Sequence, residues 1–426
     1  MSPTGSANGP LTVAVDATAL LGERTGVGMF CLGALGALGA LASKGGGRDL
    51  TVAAFAVTWR RRRRLPPLVP AGVTVLSPPL AARPLHWLWA RSSLPPLEWF
   101  TGRADVVHGT NFVVPPTRSA ARVVTVHDLT AVRFPELCDE STRRFPALVR
   151  RAIAEGAWVH TPSRFVADEV IATFGADPGR VRVVHHGIPT HGWPGRRNRA
   201  AGTGPTSGTG PTSGTGPTSG TGPTSGTGPT SRPDEPWPAG LARPAGAERY
   251  VLAVGTVEPR KDLPGLVVAF DRLAGEHDDV ALVVVGRPGW GDDELGAVIE
   301  RSPWRRRIVR SGYLGDDELG AVMAGAAVLA YPSVYEGFGF PPLEAMEVGV
   351  PVVATAVGAV PEIAGDGAVL VAPGDPDALA AALSSVLDDE AVREAAVARG
   401  RARAAAFTWE SCGKGLADLY ASAAAG

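Results

Sequence analysis

The chain is short of cysteine, of charge of one sign and of long hydrophobic runs. Its 3 cysteines in 426 residues, Cys31, Cys138 and Cys412, are odd in number and widely scattered. That excludes a disulfide framework and a zinc site and fits a reducing cytosol. Lys and Arg (41) balance Asp and Glu (42) to a net charge of −1, which argues against a global binder of nucleic acid or other polyanions. The longest apolar stretch, Val27 to Ala42, falls short of the ~20 residues of a membrane span and is broken by Gly33, Gly36 and Gly39. A helix packed closely inside a domain is expected there, with no spanning segment. No basic region precedes the first apolar run, and Asp16 interrupts it, so no signal peptide is expected. Also lacking is G-x-G-x-x-G followed by an acidic residue after a second strand, which disfavours a nicotinamide oxidoreductase.

What the chain has in abundance is Gly (54) and Pro (38), beside 45% hydrophobic residues, a composition that folds rather than stays disordered. The length predicts more than one domain. The most informative stretch is Leu329 to Met346. Val328 to Tyr331 reads as a buried strand stopped by Pro332. Gly337 and Gly339 permit a tight loop whose amides face a ligand, and Pro341 and Pro342 suit a first helical turn. Such a helix start attracts phosphate. Glu336 and Glu344, spaced E-x7-E, are poor phosphate ligands but good acceptors for sugar hydroxyls. The ligand implied is a nucleotide sugar, although a strand, Gly loop and helix alone also serve packing.

The run E-G-F-G-F-P-P-L-E-A-M followed by G-V-P-V-V-A-T resembles the retaining nucleotide-sugar glycosyltransferases of family 4, which have the GT-B fold. The resemblance covers nearly the whole chain outside a repeat tract and implies an α/β architecture of two Rossmann-like domains facing a cleft. It places Glu336 on the donor sugar, Glu344 on the ribose, and the amides of Gly337, Phe338, Gly339 and Phe340 on sugar and diphosphate. Gly255, ending the strand Arg249 to Val254, leads to Arg260 and Lys261, where the family binds the diphosphate. Lys261 matches the family lysine. Thr256 stands where many relatives have Arg, and Arg260 is expected to supply that second charge. Tyr313 and Leu314 fall in the loop that reads the nucleobase in relatives.

In the first half, Leu11 to Val15 is a strand feeding a loop with Gly26 and Gly28, which in relatives borders the diphosphate and acceptor; a structural turn is the alternative. T-V-H-D-L-T-A-V-R-F-P-E resembles a family subgroup and sets His127 toward the donor sugar, where by itself a core histidine would be the first reading. His185-His186 replaces a Pro-Asn common in relatives and, without a partner cluster, makes a poor metal site. Trp59 and the arginines Arg60 to Arg64 read either as a solvated loop or as contact with anionic lipid. The aromatics from Leu85 to Trp89 and from Leu97 to Phe100 read first as core.

From Thr203 to Ser231 the hexapeptide TGPTSG repeats, without apolar residues to stack. A flexible linker is expected, with a reach on the order of 30 Å. The expected division is an acceptor-side domain over 1–190, the linker over 191–248, a nucleotide-sugar domain over 249–408, and a helix over 409–426 crossing back onto the first domain. The activity implied is transfer of a hexose, mannose by subgroup resemblance, from a nucleoside diphosphate sugar to a glycan or lipid-linked acceptor. Retention without paired carboxylates argues against a covalent intermediate. His127, Lys261, Arg260 and Glu336 are the expected catalytic residues, with no metal, no cofactor and no nucleic-acid partner. The expected location is the cytoplasm or the inner face of its membrane. A catalytically inactive sugar-nucleotide binder is the alternative.

Overall fold

The computed structural model describes residues 9–22, 25–44, 50–89, 91–138, 140, 142–189 and 241–426. The repeat tract lies outside the described residues. Among them, two parallel sheets are built from β-branched runs that alternate between two buried faces. The first holds β1 (Leu11–Asp16), β2 (Leu50–Phe55), β3 (Thr74–Val75), β4 (Val106–Gly109), β5 (Ala121–Thr125), β6 (Trp158–Thr161) and β7 (Val181–Val183), in the order β3-β2-β1-β4-β5-β6-β7. The second holds β8 (Arg249–Val254), β9 (Val280–Val285), β10 (Ile308–Gly312), β11 (Val328–Tyr331), β12 (Val352–Thr355) and β13 (Ala368–Val371), in the order β10-β9-β8-β11-β12-β13. In β8, Tyr250 and Leu252 enter one core while Val251 and Ala253 enter the other.

Strand order reverses beside β1 in the first sheet and beside β8 in the second. At such a switch point the connections leave in opposite directions and open a crevice outside the carboxyl ends of the strands. The crevices lie between β1 and β4, and between β8 and β11.

The last helix, Trp409–Ala425, belongs spatially to the first sheet. Thr408 caps it, accepting from the Ser411 amide at 3.1 Å. It packs along the helix Gly26–Lys44, and its Leu416 and Leu419 share a core with Phe30 and Leu35. Glycine makes the approach close: a Cβ on Gly33 would fall 2.2 Å from the Trp409 ring.

Two expectations are corrected here. The helix Gly26–Lys44 is longer than the apolar run suggested, and a window from Gly26 to Ser43 could cross a membrane by length and composition alone. Its Phe30, Leu35 and Leu38 are nevertheless wholly buried in the core. The aromatics between β3 and β4 divide instead of forming core throughout. Trp89 and Leu97 are buried, but Trp87 and Trp99 are 59% and 66% exposed. They occupy the outer side of the helix Ala82–Trp89 and of the short helix Glu98–Thr101.

Candidate active site

At the second switch point, β8 is followed by Gly255, whose φ of 151° an L side chain rarely adopts. A Cβ there would press on Lys261 at 3.2 Å, so glycine leaves room for the lysine stem. The turn Pro259–Lys261 then places two cations toward the loop that follows β11. Lys261 Nζ donates to Glu336 Oε1 at 2.5 Å and to the Tyr331 hydroxyl at 3.1 Å. Arg260 donates to Glu336 Oε2 at 3.0 Å and to Glu258 at 2.8 Å. The Ser333 hydroxyl adds a bond to Glu336 Oε1 at 2.7 Å. Burial alone would raise the Glu336 carboxyl, but Lys261 and Arg260 overcome it and hold the group at about 2. Glu336 is therefore ionised, almost wholly buried, and saturated by donors. A small pocket beside it is lined by Gly255, Lys261, Tyr331 and Ser333.

The loop closes into the helix Phe340–Val348, which has Pro341 and Pro342 in its first turn and no side chain capping its start. Gly339 adopts a φ of 112° to make that turn. Glu344 lies one turn further on. Burial and then the charge of Asp316 push its carboxyl up to about 8, so at neutral pH it holds a proton. Asp316, the charge that acts on it, opens the helix Asp316–Ala324. Tyr313, half exposed after β10, has the Arg287 guanidinium 5.5 Å from its ring centre, and Leu314 packs against the core.

Gly26 and Gly28 sit in the first turn of a helix, not in the preceding loop as expected. Gly26 nevertheless meets the donor-side loop, since a Cβ there would lie 3.5 Å from the Phe340 ring. His127, just past β5, donates from Nε2 to the Thr110 carbonyl at 2.8 Å, and burial keeps its ring neutral. Its own carbonyl backs onto Gly337, where a Cβ would fall 2.0 Å away. The structure thus brings Lys261, Arg260 and Glu336 into one cluster and sets His127 and Gly26 against the same loop. Glu344, Tyr313 and Leu314 stand apart from that cluster.

Contacts between the two halves of the chain were missed by sequence reasoning. The Tyr335 hydroxyl donates to Glu169 at 2.6 Å and accepts the Leu129 amide at 2.8 Å. Ser163 donates to the Gly337 carbonyl at 2.8 Å. Glu362 receives the Arg164 and Phe165 amides and His185, each within 3.1 Å. His186 is buried with neither ring nitrogen partnered, stacked on Phe30 at 4.3 Å and Phe340 at 5.5 Å. The only advance sign was its place in the pair His185-His186. Among the described residues no group of three or more His, Cys, Asp or Glu is arranged to hold a metal ion.

The first sheet carries a neutral network instead. Across β4, β5 and β6 run Tyr420 hydroxyl to His108 Nδ1 (2.7 Å), His108 Nε2 to Thr125 (2.7 Å), Thr125 to His160 Nδ1 (2.9 Å) and His160 Nε2 to the Val184 carbonyl (3.0 Å). All four side chains are fully buried. Burial lowers both histidines, His160 to about 3, so they stay neutral.

Residues 242–403 match the family described as "Glycosyl transferases group 1", and residues 40–191 match "Glycosyltransferase Family 4". The chain is 41% identical over 172 residues to O-antigen chain mannosyltransferase B of Escherichia coli, covering 40% of this chain and 45% of that protein. It is 36% identical over 181 residues to the MMP alpha-(1->4)-mannosyltransferase of Mycolicibacterium hassiacum, covering 41% and 43%. The chain thus spans less than half the length of these curated relatives. In fold it superposes on Anabaena HepE, solved with UDP and glucose, at a TM-score of 0.63 and 16% identity, covering 97% of this chain and all of that one.

Proposed function

Since the chain belongs to the glycosyltransferases that join a family 4 domain to a group 1 domain, we propose that it transfers a hexose from a nucleoside diphosphate sugar to a glycan or lipid-linked acceptor, retaining the anomeric configuration and needing no divalent metal. The observation that carries this reading is the placing of Lys261 and Arg260 at the second switch point, beside the uncapped start of the helix Phe340–Val348. Two fixed cations and a helix N-terminus oppose a departing diphosphate without help from a metal. Mannose and guanosine diphosphate are the preferred sugar and leaving group. The two relatives are named mannosyltransferases, which supports the sugar; the base rests on subgroup resemblance.

In this reading the diphosphate takes over donors that Glu336 now holds. Freed on one side, Glu336 turns toward the hexose and orients it as the bond to phosphate breaks. His127 carries its proton on Nε2, so Nδ1 offers a lone pair to a sugar hydroxyl. The amides of Gly337 to Phe340 meet phosphate and sugar, and Glu344 receives the ribose. Gly26 leaves space for the diphosphate and acceptor, with Gly28 in the same turn. The acceptor hydroxyl attacks from the face the diphosphate leaves, and a phosphate oxygen takes its proton. Cys31, Cys138 and Cys412 are buried thiols, which supports a reducing, cytoplasmic setting.

The test is a thermal-shift panel of UDP-, GDP- and ADP-sugars followed by transfer assays in EDTA. A true donor stabilises by mass action. The expected result is stabilisation by GDP-mannose and transfer undiminished by chelation. Loss of activity in EDTA restored by manganese would defeat the metal-free step. Stabilisation without transfer to any acceptor would leave the inactive binder as the reading.

A further inference from the structure

Among the histidines whose ring bonds are described, His186 stands alone. His108, His127, His160, His185 and His277 each have a partner on at least one ring nitrogen. His186 is 2% exposed and has none on either. A polar group shut away from water without a hydrogen bond is costly, and stability alone would favour an apolar side chain at this position.

The backbone is fixed on either side of it. The Val184 amide donates to the Thr161 carbonyl at 3.0 Å, and the Ile188 amide to the Phe407 carbonyl at 3.1 Å. Most of the surrounding rings offer His186 nothing. Phe30, Phe338 and Phe340 lie 4.3, 4.8 and 5.5 Å away between ring centres. His160, at 5.9 Å, has both nitrogens engaged. His127, at 5.6 Å and packed on the same Phe30, is bonded through Nε2, which leaves Nδ1 as an acceptor. Burial, and then the neighbouring histidines, keep His186 neutral, so it has one hydrogen to give and one lone pair.

Phe338 and Phe340 belong to the loop that the proposed function sets on sugar and phosphate, so the unpartnered ring adjoins the donor site. We propose that His186 determines donor specificity, bracketing one hydroxyl of the hexose together with His127. His186 donates to the hydroxyl oxygen, and His127 Nδ1 accepts the hydroxyl hydrogen. Ring centres 5.6 Å apart are close enough for one oxygen to reach both at ~2.9 Å. Phe340, only partly buried, turns aside to admit it. A water would find the same two nitrogens among phenylalanines, short of the partners a buried water needs. The assignment rests on the transferase reading and adds to it a residue that selects the sugar.

Transfer is measured with the UDP-, GDP- or ADP-hexose that stabilises the wild type, and with monodeoxy analogues of that hexose. With one analogue the wild type should lose at least about a hundredfold in kcat/KM, and far less with the others. His186→Phe should lose at least about tenfold with the full hexose and discriminate at least about tenfold less against that analogue. Phenylalanine hides no nitrogen among the neighbouring rings, so the variant should melt at or above the wild-type temperature. His186→Gln keeps a donor and an acceptor and should recover part of the preference. The free nucleoside diphosphate lacks the hexose and should bind all three proteins alike. A wild type indifferent to every analogue, or a His186→Phe variant as selective as wild type, overturns the assignment and leaves the transferase reading intact. A His186→Phe variant that loses stability and diphosphate binding together makes the ring structural and also overturns it. A wild type that transfers hexose from no donor defeats the transferase reading itself, and this assignment with it.

Discussion

The two sheets have the same kind of switch point and carry opposite polar clusters. Beside β8 the crevice holds fixed charge: Lys261 and Arg260 on an ionised Glu336. Across β4, β5 and β6 the first sheet instead holds neutral histidines, His108 and His160, locked in hydrogen bonds that end on the last helix. The parallel topology places a crevice in each half, but the residues at the strand ends decide its chemistry. A polyanion needs cations that are in place before it arrives, whereas an interior that only has to hold a helix is better kept uncharged.

The sharpest way to break this comparison is Lys261→Met, which leaves Glu336 buried against Arg260 alone. Transfer should fall by about a hundredfold or more, and calorimetry should show the nucleoside diphosphate bound much more weakly. Unchanged binding would show that the charged crevice is structural.

Next in size is Glu336→Gln. It keeps the shape and frees the two cations, so turnover should fall at least about tenfold while the free nucleoside diphosphate binds as well or better. Full turnover would remove Glu336 from the reaction. The carboxyl sits at about 2 in the folded chain against 4.5 ordinarily. Its contribution to stability is therefore complete above pH 4.5 and disappears as pH falls toward 2. Acid titrations of wild type and variant should converge there.

The neutral network is probed by Thr125→Val, which removes two bonds of the histidine chain and should cost about 2–4 kcal/mol in denaturant melts. Nucleoside diphosphate affinity should not move. The wild type should also lose stability as pH drops from 6.5 to about 3, because an unfolded histidine takes a proton that folded His160 refuses.

The smallest effect is expected from Glu344→Gln. The folded carboxyl is raised to about 8 from 4.5, so wild-type stability is full below pH 4.5 and is lost as pH rises through 8. The variant should melt a few degrees above wild type at pH 8.5, with no difference at pH 4. A loss of donor affinity alongside would place Glu344 on the ribose.

Much of the charged crevice was legible in the sequence, because it is local. The loop and helix start from Tyr331 to Met346 are written in consecutive glycines and prolines, and Lys261 follows its own strand-ending Gly255. What could not be read depends on distant partners. Tyr335 reaches Glu169 across 166 residues, Phe165 meets Glu362 across 197, and His108 meets Tyr420 across 312. Local sequence carries no record of such pairings. Trp87 and Trp99 failed for a related reason: an aromatic run has an inner and an outer side only once its anchors, Trp89 and Leu97, have found their core.

The histidine chain also has a direction. The Val184 carbonyl can only accept, so His160 must carry its hydrogen on Nε2 and leave Nδ1 bare. Thr125 then has to point its hydrogen at His160, which leaves its oxygen to receive the Nε2 hydrogen of His108. His108 Nδ1 is bare in turn, and Tyr420 must be the donor. One carbonyl at the end of β7 therefore dictates four hydrogens in single file, ending on the last helix of the chain. With both rings neutral no other arrangement satisfies every link, and an extra proton on either ring leaves a hydroxyl hydrogen with no place in the file. The final helix is keyed to the first sheet by polarity as well as by shape.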